Sequence, residues 1–254
     1  MSRDITPKQT AATPDKKSGG TPAVSSSSDI SQFLQAASKL KNRGDGAGGL
    51  IFALDATMSR GHTRDEAQKI QAEMFNAVED TGGLDVQLVY FRGYGECRAS
   101  KWVTRPAALR DLMTGIDTRG GQTQIGKVLS HAVKESGKKS PQNPDRSRVD
   151  ALVFVGDAME ENADELCHRA GQLKLLGVPC FMFQEGHDGD AERTFREIAR
   201  LSGGAFMRFG PGSAARLADL LKAVARFVSG GRAALEDARA KGDKGAQALL
   251  EQLK

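Results

Sequence analysis

Leu50-Ile51-Phe52-Ala53-Leu54-Asp55-Ala56-Thr57-Met58-Ser59 is the stretch whose reading decides the architecture. Its apolar opening is too short for a helix and shows no polar alternation, which predicts a strand covered on both faces. The run stops at an acid, and two hydroxyls follow at alternate positions, so polar chemistry is set down where the strand ends. Just upstream, Gly44-x-Gly46-x-x-Gly49 imitates a dinucleotide fingerprint, but it precedes the strand that it should follow.

Downstream, short apolar runs alternate with helical periods. Thr63-Arg64-Asp65-Glu66 reads as a capping box opening a helix through Ala67, Ile70, Met74, Ala77 and Val78. Strands are predicted at Leu84–Phe91, Lys101–Val103, Ala151–Val155, Val178–Phe183 and Ala205–Phe209. Helices are predicted from Pro106 to Ile116, over Thr123–Glu135, and over 161–176, 190–201 and 213–228. The Lys101–Val103 strand follows a loop too tight for a crossover and must be antiparallel to its predecessor. The expected fold class is therefore α/β: a doubly wound, mostly parallel six-stranded sheet with one antiparallel edge strand and helices on both faces. Ligands on such sheets sit beyond the carboxyl ends of the strands, where strand order reverses.

The chain has 254 residues, 39% apolar and 27% charged, enough for one large domain with tails. Residues 1–44 hold seven Lys/Arg against three acids, which accounts for the whole formal charge of +4. The body is neutral, so no nucleic-acid face is expected. The segment 1–44 reads as a disordered basic tail with a short helix at Ile30–Leu40, 45–230 as the domain, and 231–254 as a helical or flexible extension. Cys97, Cys167 and Cys180 are widely spaced and odd in number, which argues against a disulfide framework. Neither a leader nor a membrane span is legible, and a soluble cytoplasmic protein is the expectation.

At the expected edge three segments converge: Asp55-x-Thr57-x-Ser59, the Gly120-Gly121-Gln122-Thr123 loop, and Gly156-Asp157. Two carboxylates and three hydroxyls, without nitrogen or sulfur, suit a hard cation: Mg2+ first, then Mn2+ or Ca2+. The competing reading is that these residues cap the helices that follow them.

The three segments resemble the metal-ion-dependent adhesion site (MIDAS) of the von Willebrand factor A (VWA) domain family. That pattern is Asp-x-Ser-x-Ser, a Thr in a glycine-containing loop, and a later Asp after a central strand. The resemblance spans roughly residues 48–230, with Thr57 standing where the family usually has Ser. It implies that Thr57, Ser59 and Thr123 reach the metal through hydroxyls, that Asp55 and Asp157 act largely through waters, and that a partner's acidic side chain completes the coordination. Soluble bacterial members of the family serve larger assemblies, some with ATP-driven chaperone-like machines.

Arg60, His62, Tyr94, Glu96 and Arg98 are expected to rim this edge, with Glu96 filling the open metal position when no partner is present. The reading is a non-enzymatic, Mg2+-dependent protein-binding module with no nucleic-acid and no membrane partner. The alternatives are a metal-free VWA scaffold and a haloacid-dehalogenase-like phosphohydrolase. The phosphohydrolase needs a second acid where Thr57 stands.

Overall fold

The computed structural model describes residues 48–57, 84–105, 107–108, 111–112, 115–116, 119–141, 144, 147–209 and 214–253, all within the unit Asn42–Lys254. The predicted tail with its Ile30–Leu40 helix and the helix opening at Thr63 lie outside these residues, as does most of the one opening at Pro106.

Strand β1 (Gly49–Asp55) is buried along its whole length. Leu50, Phe52 and Leu54 join one apolar cluster, and Ile51 and Ala53 join the other. That double burial is the physical reason the run lacks alternation. The other strands are β2 (Asp85–Arg92), β3 (Glu96–Val103), β4 (Ala151–Gly156), β5 (Cys180–Glu185) and β6 (Ala205–Phe209), in the spatial order β3-β2-β1-β4-β5-β6. All neighbours are parallel except the β2–β3 pair, so the doubly wound sheet with one antiparallel edge is present.

Helices α1 (Ile125–Ser136), α2 (Ala163–Leu175) and α3 (Gly189–Ser202) bury one face of the sheet through residues such as Val128, Leu129, Leu166, Leu173, Phe195 and Ile198. Helices α4 (Ala214–Ala240) and α5 (Lys244–Leu250) cover the other through Leu221, Val224, Val228, Leu235 and Leu249. Helix α5 lies close on α4: a Cβ on Gly245 would fall 2.4 Å from the Asp219 carbonyl oxygen.

Several boundaries differ from the sequence expectation, and three of the differences have a visible cause. The third strand begins at Glu96, not Lys101, because Gly93 and Gly95 (φ 60° and 146°) make a three-residue turn and pairing resumes at once as Arg92↔Glu96. Arg92–Arg98 is therefore a hairpin and not a free loop. Helix α1 starts at Ile125, after Thr123 has been drawn into contacts with the β4–α2 loop. Helix α4 does not stop before Ser229-Gly230-Gly231 but runs to Ala240, kinked where Gly231 takes φ 66°, ψ −160°.

Strand β1 is flanked by β2 on one side and β4 on the other, so strand order reverses between β1 and β4. In open sheets of this kind ligands bind in the crevice outside the carboxyl ends of the two strands at such a reversal, here the ends of β1 and β4.

Candidate functional site

Asp55 closes β1 and is 2% exposed. Its Oδ1 accepts the Thr57 N–H at 2.8 Å, an Asx-type turn that draws Thr57 into the crevice mouth, where it is also buried. On β4 the parallel register Leu54↔Val155 brings Gly156 beside Asp55. Asp157 follows, half-buried, and its Oδ1 is buried without a hydrogen-bond partner among the described residues. A buried carboxylate oxygen calls for a donor or a cation.

Backbone bonds stitch the surrounding loops together. The Phe91 carbonyl accepts the Ala56 N–H at 2.9 Å, and the Ala56 carbonyl accepts the Arg119 N–H at 3.0 Å. Gly93 donates to the Arg119 carbonyl and accepts from the Gln122 N–H, both at 3.2 Å. A Cβ on Gly121 would lie 2.0 Å from the Gly93 carbonyl oxygen, so only glycine permits this approach.

The stitched segment delivers Thr123, which is buried. Its Oγ1 accepts the Glu160 N–H at 3.0 Å, and its own N–H donates to Glu160 Oε2 at 3.1 Å. Glu161 accepts the N–H groups of Ile125 (2.5 Å) and Gly126 (2.9 Å), and so caps α1, whose N-cap residue Gln124 makes no side-chain cap bond. Burial pushes the Glu161 carboxyl above the usual range, opposed by these two amides and by a hydrogen bond from the Thr123 side chain. Glu160 and Glu161 escaped the sequence reading. Their signal is the pair of acids between Asp157 and Asn162, which caps α2 and leaves both glutamates in the loop at the crevice.

Of the expected metal-site residues, Asp55, Thr57, Thr123 and Asp157 all lie in segments at the carboxyl edge of the sheet, while Ser59, Arg60 and His62 lie outside the described residues. Tyr94 tips the hairpin, 86% exposed. Glu96 braces the hairpin: it accepts from Arg92 Nε (2.9 Å) and Nη2 (3.1 Å) and from Arg98 Nε (2.7 Å), with Arg119 at 4.0 Å. The Arg92 hydrogen bonds, then those from Arg98, hold its carboxyl at about 2 against the opposing effect of desolvation. Any move of Glu96 into a metal position must break this clamp.

The donor set fits a hard cation in its acid part, through the partnerless Asp157 oxygen and the Asp55 carboxylate on the adjoining strand. No group of three or more His, Cys, Asp or Glu suited to a metal occurs among the described residues. The cysteines offer no activated nucleophile: burial raises the Cys97 and Cys167 thiols and pushes Cys180 up to about 12. No helix of the described residues is long and apolar enough to cross a membrane.

No family model matches the chain. No curated protein matches it in sequence. Solved structures do match in fold. A von Willebrand factor type A protein from Catenulispora acidiphila is 16% identical with a TM-score of 0.53, covering 73% of this chain and 43% of that one. Proximal thread matrix protein 1 from the mussel byssus, with a zinc-occupied MIDAS motif, is 16% identical with a TM-score of 0.55, covering 78% and 52%. The SpRpn10 VWA domain is 14% identical with a TM-score of 0.50, covering 68% and 94%. This chain thus spans under half of the Catenulispora protein and about half of the mussel protein. What is shared is the fold: the chain carries a von Willebrand factor A-like domain.

Proposed function

We propose that the chain is a non-catalytic docking domain that takes a protein partner at the edge where β1 and β4 end. In its finer form the reading adds a divalent cation, Mg2+ by donor chemistry, held by Asp55, Thr57, Thr123 and Asp157, with Ser59 expected to join them. The cation would supply an open coordination position for a partner's Asp or Glu. The observation that carries this form is the buried Asp157 Oδ1, which has no partner among the described residues, beside a strand ending in a second buried carboxylate. The mussel protein of the same fold, whose MIDAS motif holds zinc, adds support by likeness.

Tyr94, Arg98 and Arg119 stand exposed beside this edge on a braced hairpin and its neighbouring loop, and they suit an acidic partner surface. Service to an ATP-driven assembly rests on the family resemblance alone.

A second reading, a docking scaffold without metal, is favoured by the Thr123 hydroxyl, which already accepts the Glu160 N–H. The phosphohydrolase reading loses ground at Thr57, which is buried and bonded through its N–H to Asp55 where that chemistry needs a second acid.

Capture of partners from lysate by the wild type and by Asp55→Ala, with and without chelator, separates the readings. Capture lost on chelation and in the variant supports the cation form, and capture indifferent to both supports the scaffold. Turnover of a generic phosphoester overturns both.

A further inference from the structure

The turn that joins β2 to β3 is pinned by the start of α1. Gln124 makes no side-chain cap bond to its own helix and sends its amide to the hairpin: Nε2 donates to the Gly93 carbonyl at 3.2 Å and to the Arg92 carbonyl at 3.4 Å. Lys127 Nζ donates to the Gly95 carbonyl at 3.0 Å and to Gln124 Oε1 at 2.8 Å. A turn fixed at three carbonyls has little freedom left to lose when a partner lands on it.

Glu96 sets the arginines on this turn. Arg92 meets both of its carboxylate oxygens, through Nε and Nη2. Arg98 gives only its Nε, at 2.7 Å, and its two Nη groups have no hydrogen-bond partner among the described residues. Arg119 comes to 4.0 Å of Glu96 without a side-chain hydrogen bond among those residues. The Arg98 and Arg119 side chains are 69% and 67% exposed. Three guanidinium groups therefore surround one carboxylate, and two positive charges are left over at one corner of a neutral body.

We infer that this hairpin is the receptor for an acidic peptide segment of the partner: Arg98, anchored by Glu96 through Nε, offers its Nη edge to one carboxylate, and Arg119 meets a second. The inference deepens the docking reading and rests on it, but it needs no cation. A guanidinium held at Nε keeps a further pair of N–H groups in the fork geometry that matches a carboxylate, whereas a lysine ammonium is a point charge. Tyr94 at the tip adds an exposed aromatic surface, and tyrosine and arginine together are the side chains that most often anchor interfaces.

The test is the affinity of a fluorescein-labelled peptide of alternating Asp and Gly for the full chain, read by anisotropy in the presence of EDTA. The proteins are the wild type, Arg98→Ala, Arg98→Lys, Arg119→Ala and a control, Arg200→Ala, which removes an exposed arginine from α3. Each is checked for folding by circular dichroism. Binding should weaken at least about tenfold in Arg98→Ala and Arg119→Ala, and at least about threefold in Arg98→Lys. It should stay at the wild-type value in Arg200→Ala. No binding by the wild type, wild-type affinity in Arg98→Lys, or equal weakening in Arg200→Ala overturns the inference. Tighter binding of a thymidine oligonucleotide of equal charge also overturns it, in favour of a phosphate backbone. Lysate capture by the wild type decides the docking reading separately: capture that persists while the peptide fails leaves that reading standing, and absence of capture removes it.

Discussion

A Cβ placed on Gly156 would lie 3.5 Å from the Asp55 Cβ, an ordinary contact, but only 2.8 Å from the Phe154 ring, so glycine at this strand end makes room for that ring beside Asp55. The Phe154 ring has nowhere to retreat. It stacks on Phe91 with centroids 6.2 Å apart and meets Phe195 edge-on at 5.4 Å.

Gly156→Ala is accordingly an overpacking substitution at the mouth of the crevice, expected to cost about 1–3 kcal/mol. Chemical denaturation should show a lower midpoint with unchanged slope. A midpoint equal to the wild type would mean that the edge is looser than the packing indicates.

The Cys180 thiol, fully buried beneath the α1–α3 face with a pKa pushed up to about 12, should resist alkylation in the native protein at pH 8. Its labelling should track global unfolding, whereas Cys97 and Cys167, only partly buried, should label before it. Mass spectrometry of timed quenches reads the order directly. Rapid native labelling of Cys180 contradicts the burial.

The arginine clamp on Glu96 makes a prediction in pH. Its carboxyl is depressed from the model-compound 4.5 to about 2, so the stabilisation it brings is complete above the unfolded value. It is lost as pH falls through the folded value, between about 4.5 and 2. The group is solvent-facing, and the effect should be local to the hairpin. The Glu96 side-chain carbon resonance should titrate with a midpoint near 2 in wild type and at a higher pH in Arg92→Ala, where Arg98 is the remaining hydrogen-bond partner. A wild-type midpoint at the ordinary value would show that the clamp is not populated in solution.

Much of the fold was legible because the central strands advertise their burial. Leu50–Leu54 and Ala151–Val155 are central and read as unbroken apolar runs, and the tight Gly93–Gly95 turn forced the one antiparallel pair. The start of β3 was not legible. Glu96-Cys97-Arg98 lies at the sheet edge with one side in solvent, so its composition looks like a loop. Nor was the length of α4 legible, since Gly230-Gly231 reads as a stop although the helix resumes after one residue and buries Leu235. The placement of Asp55, Thr57 and Asp157 at the carboxyl edge was legible from their positions just after strands, and that of Thr123 from its glycine loop before a helix. Glu160 and Glu161 were not, because their partners on the Thr123–Gly126 segment are joined only by tertiary packing.

The cation site at Asp157 stands or falls on Mn2+ binding to the wild type and to Asp157→Ala, measured at equilibrium on the full chain. One saturable site is expected in the wild type, and its loss, or a weakening of at least about tenfold, in the variant. No binding by the wild type would leave a docking scaffold without metal, and equal binding by the two proteins would put the ion somewhere other than Asp157; either result overturns the site.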